Sequence, residues 1–94
     1  MSKRYEILCV CGFGIGSSLL LKMNADQVLT KAGYDVKVDP MDVTSANGRT
    51  PDLVLTSAEI ATQLPEFSCP VVIINNFMDL EEIRVKATTE LDKT

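Results

Sequence analysis

The stretch Cys9-Val10-Cys11-Gly12-Phe13-Gly14-Ile15-Gly16-Ser17-Ser18 places two thiols, three glycines and two hydroxyls where an apolar run gives way to a helical one. A helix starting there leaves its first N–H groups unpaired, and its dipole puts partial positive charge beside them. Glycines at 12, 14 and 16 allow backbone turns that gather several N–H groups into an anion cradle needing no basic side chain. Ser17 and Ser18 add hydroxyl donors or cap the helix; the two roles are compatible. Cys11, ending the strand, would aim its sulfur into that cradle. Such surroundings stabilise a thiolate and lower a cysteine pKa from ~8.5 to about 3.5–7.5. A thiolate held there suits transfer of a phosphoryl group.

Spacing separates this loop from other phosphate binders. A dinucleotide fingerprint needs Gly-x-Gly-x-x-Gly, whereas the glycines fall at 12, 14 and 16 and position 17 is Ser. A Walker A loop needs lysine before its hydroxyl, and no lysine appears between the loop and Lys22. A low-molecular-weight-type cysteine phosphatase would carry arginine six residues after its nucleophile, and that position is Ser17. The phosphatase therefore ranks as an alternative, together with a thiol redox or sensor module using Cys9, Cys11 or Cys69.

The elements that must position Cys11 follow from the apolar pattern. Strands are expected at Tyr5–Cys11, Tyr34–Val38, Asp52–Ser57 and Pro70–Asn76. The last is continuous in β-branched residues and so reads as central, or covered on both faces. Helices are expected at Gly16–Ala32, with Leu19, Leu20, Met23, Val28 and Leu29 inward, and from Ser57 to Leu64. A third runs from Asp79 to Leu91, with Leu80, Ile83, Val85, Ala87 and Leu91 inward. The segment 39–52 reads as a loop with one helical turn, from its Pro, Asp, Asn and Gly. Strands alternating with helices imply right-handed crossovers and an α/β fold. The expected form is a four-stranded parallel open sheet in the order 2-1-3-4 with helices on both faces: Rossmann-like, three-layer α/β/α. Ligands in such sheets sit outside the carboxyl ends of the strands where strand order reverses, here between the first and third strands.

Composition narrows the function classes. The chain has 94 residues and a formal net charge of −4, which speaks against nucleic acid as the main partner. With no histidine, the chain lacks Cys-His pairs, His-containing zinc sites and any phosphohistidine of its own. No metal or cofactor is expected. Three cysteines form no even disulfide framework, and reduced thiols suit a cytoplasmic protein. Glu6 and the glycines interrupt the N-terminal apolar run, so neither a signal peptide nor a membrane helix is expected. Cys9 reads as core, Cys69 as structural, Thr56 and Ser57 as lying near the loop, and Asn75 and Asn76 as turn residues. The final helix's carboxylates read as a solvated face.

The segment Cys11–Gly33, "CGFGIGSSLLLKMNADQVLTKAG", resembles the phosphocysteine loop and first helix of the enzyme IIB component of the bacterial sugar phosphotransferase system. It is closest to the ascorbate-type branch, with the galactitol and lactose/cellobiose types more distant. The pattern Cys-Gly-x-Gly-x-Gly-Ser-Ser is matched from Cys11 to Ser18, and "PDLVLTSAEIA" is a second similar segment. The resemblance implies one IIB-like domain over residues 1–94, a phosphoryl carrier with Cys11 as nucleophile. Gly12, Gly14, Gly16, Ser17 and Ser18 would hold the phosphate, with Phe13 and Ile15 in the variable positions. It further implies a phosphohistidine IIA protein or domain as donor and a IIC membrane transporter as partner. Sugar, ascorbate or a related compound, would be the acceptor, and the carrier would sit peripherally at the transporter.

Overall fold

The computed structural model describes residues 4–11 and 14–93; for residues 14–18 only the backbone is described. In chain order the elements are β1 (Arg4–Val10), α1 (Gly14–Lys31), β2 (Asp35–Met41), α2 (Val43–Ala46), β3 (Leu53–Thr56), α3 (Ala58–Ala61), β4 (Val71–Ile73) and α4 (Leu80–Leu91). The strands form one sheet in the order β2-β1-β3-β4 with every pairing parallel, as the alternating pattern predicts.

The two-residue side-chain period of β1 feeds two cores. Ile7, Cys9 and Cys11 join Leu53, Leu55, Val72 and Ile74 beneath α1 and α4. Leu8 and Val10 join Val54, Ala46 and Ile60 on the opposite face. Helices therefore cover both faces. Burying each such aliphatic side chain contributes about 1.5–3 kcal/mol, which makes central β1 and β3 the most firmly held strands.

Several boundaries and faces differ from the sequence expectation. Strand β2 runs on through Pro40 to Met41, although the turn-forming residues there suggested a loop. As an edge strand it tolerates a residue with no N–H to donate. Strand β4 is also an edge, not central: Val71 and Ile73 are each 39% exposed, while Val72 and Ile74 are buried. Its β-branched run reflects strand propensity without two-sided burial. The Lys86 ammonium donates to the Ile73 carbonyl at 2.9 Å, putting a charge on that edge.

Helix α1 begins at Gly14, two residues before the expected Gly16, and buries Leu21, Ala25, Val28 and Leu29. Leu19 and Met23 instead lie exposed. Its end is a Schellman motif: the N–H of Tyr34 donates to the Leu29 carbonyl at 3.0 Å and that of Gly33 to Thr30 at 3.1 Å. Gly33 takes φ 96°, a conformation a side chain would strain. In α4, Ile83, Ala87 and Leu91 point inward at four-residue spacing, whereas Leu80 and Val85 are exposed. Helix α3 stops at Ala61, short of Leu64.

Candidate functional site

Cys11 stands immediately beyond the last residue of β1, at the carboxyl end of the sheet, where strand order reverses between β1 and β3. Two neighbours fix it there. Its N–H donates to the Met41 carbonyl of β2 at 3.2 Å. The carbonyl of the same peptide group, on Val10, accepts the hydroxyl of Thr56 in β3 at 2.8 Å. The Val10–Cys11 peptide is thus clamped from both sides, and only a short connection separates Cys11 from the start of α1 at Gly14.

The loop donors expected to lower the Cys11 pKa lie largely outside the described residues, and the described surroundings act on the sulfur in the other direction. Cys11 is 5% exposed, and burial pushes its thiol up to about 11 from an ordinary 9.0. Among the described surroundings, burial is what acts on the Cys11 thiol, and it favours the neutral form. Of the expected phosphate loop, Gly12 and Phe13 lie outside the described residues. Gly14, Ile15, Gly16, Ser17 and Ser18 form the first turn of α1, and their side chains lie outside the description. Cys9 is fully buried in the core beneath α1, as read from sequence. Burial raises its pKa first, and the neighbouring Cys11 and Asp39 push in the same direction.

The helices following the other strands are capped next to the strand ends. Asp42 accepts the Ser45 N–H at 2.7 Å and so starts α2; hydrogen bonding to Ser45, through its side chain first and its backbone second, lowers the Asp42 pKa. Ser57 accepts the Ile60 N–H at 3.3 Å and starts α3, so its hydroxyl serves a cap. Asp79 accepts the Glu82 N–H at 3.1 Å and starts α4. Thr56 is fully buried and bonded to Val10, adjoining the nucleophile candidate rather than the open loop.

Sequence reasoning missed two anchors. Asn24, on α1, donates to the Phe77 carbonyl at 2.7 Å and ties the helix to the loop beyond β4. Its signal was an amide beside Ala25 and one turn from Leu21 and Val28, close to the buried stripe. Glu82 is not part of a solvated face. It accepts the N–H groups of Asn75 at 2.7 Å and Asn76 at 3.1 Å, and pairs with Lys86 at 2.7 Å. These bonds, the Lys86 one foremost, hold its pKa down at about 2. Asn75 and Asn76 are turn residues, as expected; Asn76 Oδ1 also accepts the Met78 N–H at 3.0 Å.

An open parallel sheet in the order β2-β1-β3-β4, with Cys11 at the carboxyl end of β1 where strand order reverses, defines a Rossmann-like α/β protein. A family model described as "PTS system, Lactose/Cellobiose specific IIB subunit" matches residues 6–86. The ascorbate-specific PTS system EIIB component of Mycoplasma pneumoniae is 27% identical over 86 residues, 88% of this chain and 90% of that protein. Its namesake from Escherichia coli O157:H7 is 37% identical over 61 residues, covering 63% of this chain and 60% of its own length. The solution structure of an enzyme IIB subunit of the PTS system from Escherichia coli K12 matches with a TM-score of 0.50. That match has 18% identity and covers 99% of this chain and 91% of that one, and it supports the fold. The chain belongs to the IIB family of the sugar phosphotransferase system.

Membership makes the protein a phosphotransferase component, a phosphoryl carrier in sugar uptake. The phosphatase and redox alternatives give way to that role. The family works with IIA and IIC partners and a sugar. Among the described residues no helix is long and apolar enough to cross a membrane.

Proposed function

We propose that Cys11 is the phosphoryl-carrying nucleophile of this IIB protein and that residues 1–94 act as one carrier domain. The observation that carries the reading is the clamped Val10–Cys11 peptide at the carboxyl end of β1, directly before α1. A phosphohistidine of a IIA partner supplies the group. Its P–N bond breaks, a P–S bond forms at Cys11, and the thiol proton leaves to the freed imidazole. This exchange suits a thiol that is neutral at rest, because the donor itself removes the proton as it departs. Gly12, Phe13, Gly14, Ile15, Gly16, Ser17 and Ser18 line the phosphate, with N–H groups and the positive end of α1 offsetting its charge. In the second transfer the P–S bond breaks, a sugar hydroxyl takes the phosphoryl group, and a proton returns to sulfur.

The sugar is ascorbate or a close relative, a reading supported by the names of the Mycoplasma pneumoniae and Escherichia coli relatives. Delivery takes place at a IIC transporter, with the carrier on the cytoplasmic side and associated peripherally with the membrane.

Incubation with a phosphorylated IIA protein is expected to add one phosphoryl group to the Cys11 peptide, carried on its sulfur. A Cys11→Ser chain that still supports full sugar phosphorylation in a reconstituted system would overturn the reading.

A further inference from the structure

We infer that Thr56 is a positioning residue for Cys11: its hydroxyl locks the Val10–Cys11 peptide, and so sets where the sulfur stands during phosphoryl transfer. The inference rests on the proposed role of Cys11. Thr56 ends β3 and pairs in register with Val10 of β1. It is the buried polar residue of the described core, fully enclosed, and its Oγ donates to the Val10 carbonyl at 2.8 Å.

The placement of that bond distinguishes it from ordinary core satisfaction. The Val10 carbonyl shares a peptide plane with the Cys11 N–H, whose own acceptor is the Met41 carbonyl on the opposite strand. One peptide is therefore tethered to both neighbouring strands at the point where β1 ends. Beyond it the chain must leave the sheet, so the Cys11 Cα inherits the orientation of this plane. A transferring sulfur must meet phosphorus in line, and misplacement of about 1 Å costs on the order of 100-fold in rate. A buried valine of the same shape would fill the space without the tether. Ser57, next in the chain, accepts the Ile60 N–H and caps α3.

The test compares Thr56→Val and Thr56→Ser in a Cys69→Ser background. Two readouts are taken: single-turnover phosphorylation by phosphorylated IIA, and the pH profile of Cys11 alkylation by iodoacetamide. Thr56→Val is expected to slow phosphoryl transfer about tenfold or more. It is also expected to speed Cys11 alkylation severalfold, with a lower midpoint, as the loosened strand end admits water. Cys9 stays protected, which separates local loosening from unfolding. Thr56→Ser restores both readouts. Wild-type transfer and alkylation in Thr56→Val would overturn the inference.

If Thr56→Val does not fold, Thr56→Ser and Thr56→Ala are compared, and equal behaviour of the two would likewise overturn it. A Cys11→Ala control that still takes up the phosphoryl group would instead defeat the reading of Cys11 as carrier. The alkylation profile would still decide whether Thr56 governs that thiol.

Discussion

Glu82, in the first turn of α4, accepts the backbone N–H of Asn75 at 2.7 Å, so a helix start holds the end of the last strand. The same carboxylate takes the Asn76 N–H and the Lys86 ammonium, while Lys86 also reaches the Ile73 carbonyl. One charged group thus organises the turn that carries the chain from the β4 edge into α4. Hydrogen bonds to a charged acceptor contribute about 1.5–3 kcal/mol each, less where water competes.

Glu82→Gln is therefore expected to lower stability by about 1–3 kcal/mol at pH 7 in urea unfolding. An amide offers one oxygen to two N–H donors and turns its own NH2 towards the other. The effect depends on pH. The folded carboxyl sits at about 2 against an ordinary 4.5. Its stabilisation is complete above 4.5 and declines as pH falls towards 2. The gap between wild type and variant should accordingly narrow at pH 3; an unchanged gap would mean that the charge is not what matters.

The register of α4 gives a second contrast. Ile83 is fully buried, whereas Val85 is 45% exposed. Ile83→Ala should cost about 2–5 kcal/mol through lost burial and the cavity left behind. Val85→Ala should stay within about 0.5 kcal/mol. Thermal unfolding of the two variants distinguishes them, and equal losses would place the helix in another rotation.

Strand order and the two covered faces were legible because β1 and β3 are short apolar runs between helical segments, and parallel topology follows from that alternation. The β4 run was misread because Val71-Val72-Ile73-Ile74 looks alike whether one face or two are covered. What distinguishes it is its place at the end of the sheet, which leaves Val71 and Ile73 exposed and which the expected order 2-1-3-4, rather than the run itself, already implies. Pro40 misled for a related reason, since the exclusion of proline from strands lapses at an edge. At the site, the position of Cys11 was legible from its glycines. The burial that pushes its thiol up was not, because desolvation depends on how the elements around β1 close over the sheet. Met41 and Thr56 converge on one peptide from segments 30 and 45 residues away from Cys11 in sequence; only the register of β1 against β2 and β3 brings them together.

Asn24 yields a third prediction. Its amide links α1, the helix that follows Cys11, to the Phe77 carbonyl. Asn24→Ala should cost about 1 kcal/mol and free the 75–79 turn. Hydrogen exchange should then quicken at Met78 and Asp79 while β1 and β3 keep their protection. Exchange unchanged in that turn would show that Asn76 and Glu82 hold it alone.

The three thiols should react in a fixed order. Cys69 is half-buried and Cys11 nearly covered, whereas Cys9 is sealed in the core. Iodoacetamide acts on the thiolate, so accessibility and pKa multiply. Cys69 should label first at pH 8. Cys11 should follow slowly, its rate still climbing as pH approaches 11, where half of it is ionised. Cys9 should label only on unfolding. Stability carries the complementary signature: a buried neutral thiol stabilises the fold fully below its ordinary 9.0, and the benefit declines as pH rises towards 11. Mass-spectrometric mapping of each cysteine across pH 7–11 decides the matter. Rapid labelling of Cys11 at pH 7 would mean that residues 12–18 supply enough donors to overcome its burial and keep the sulfur ionised before the phosphoryl donor arrives.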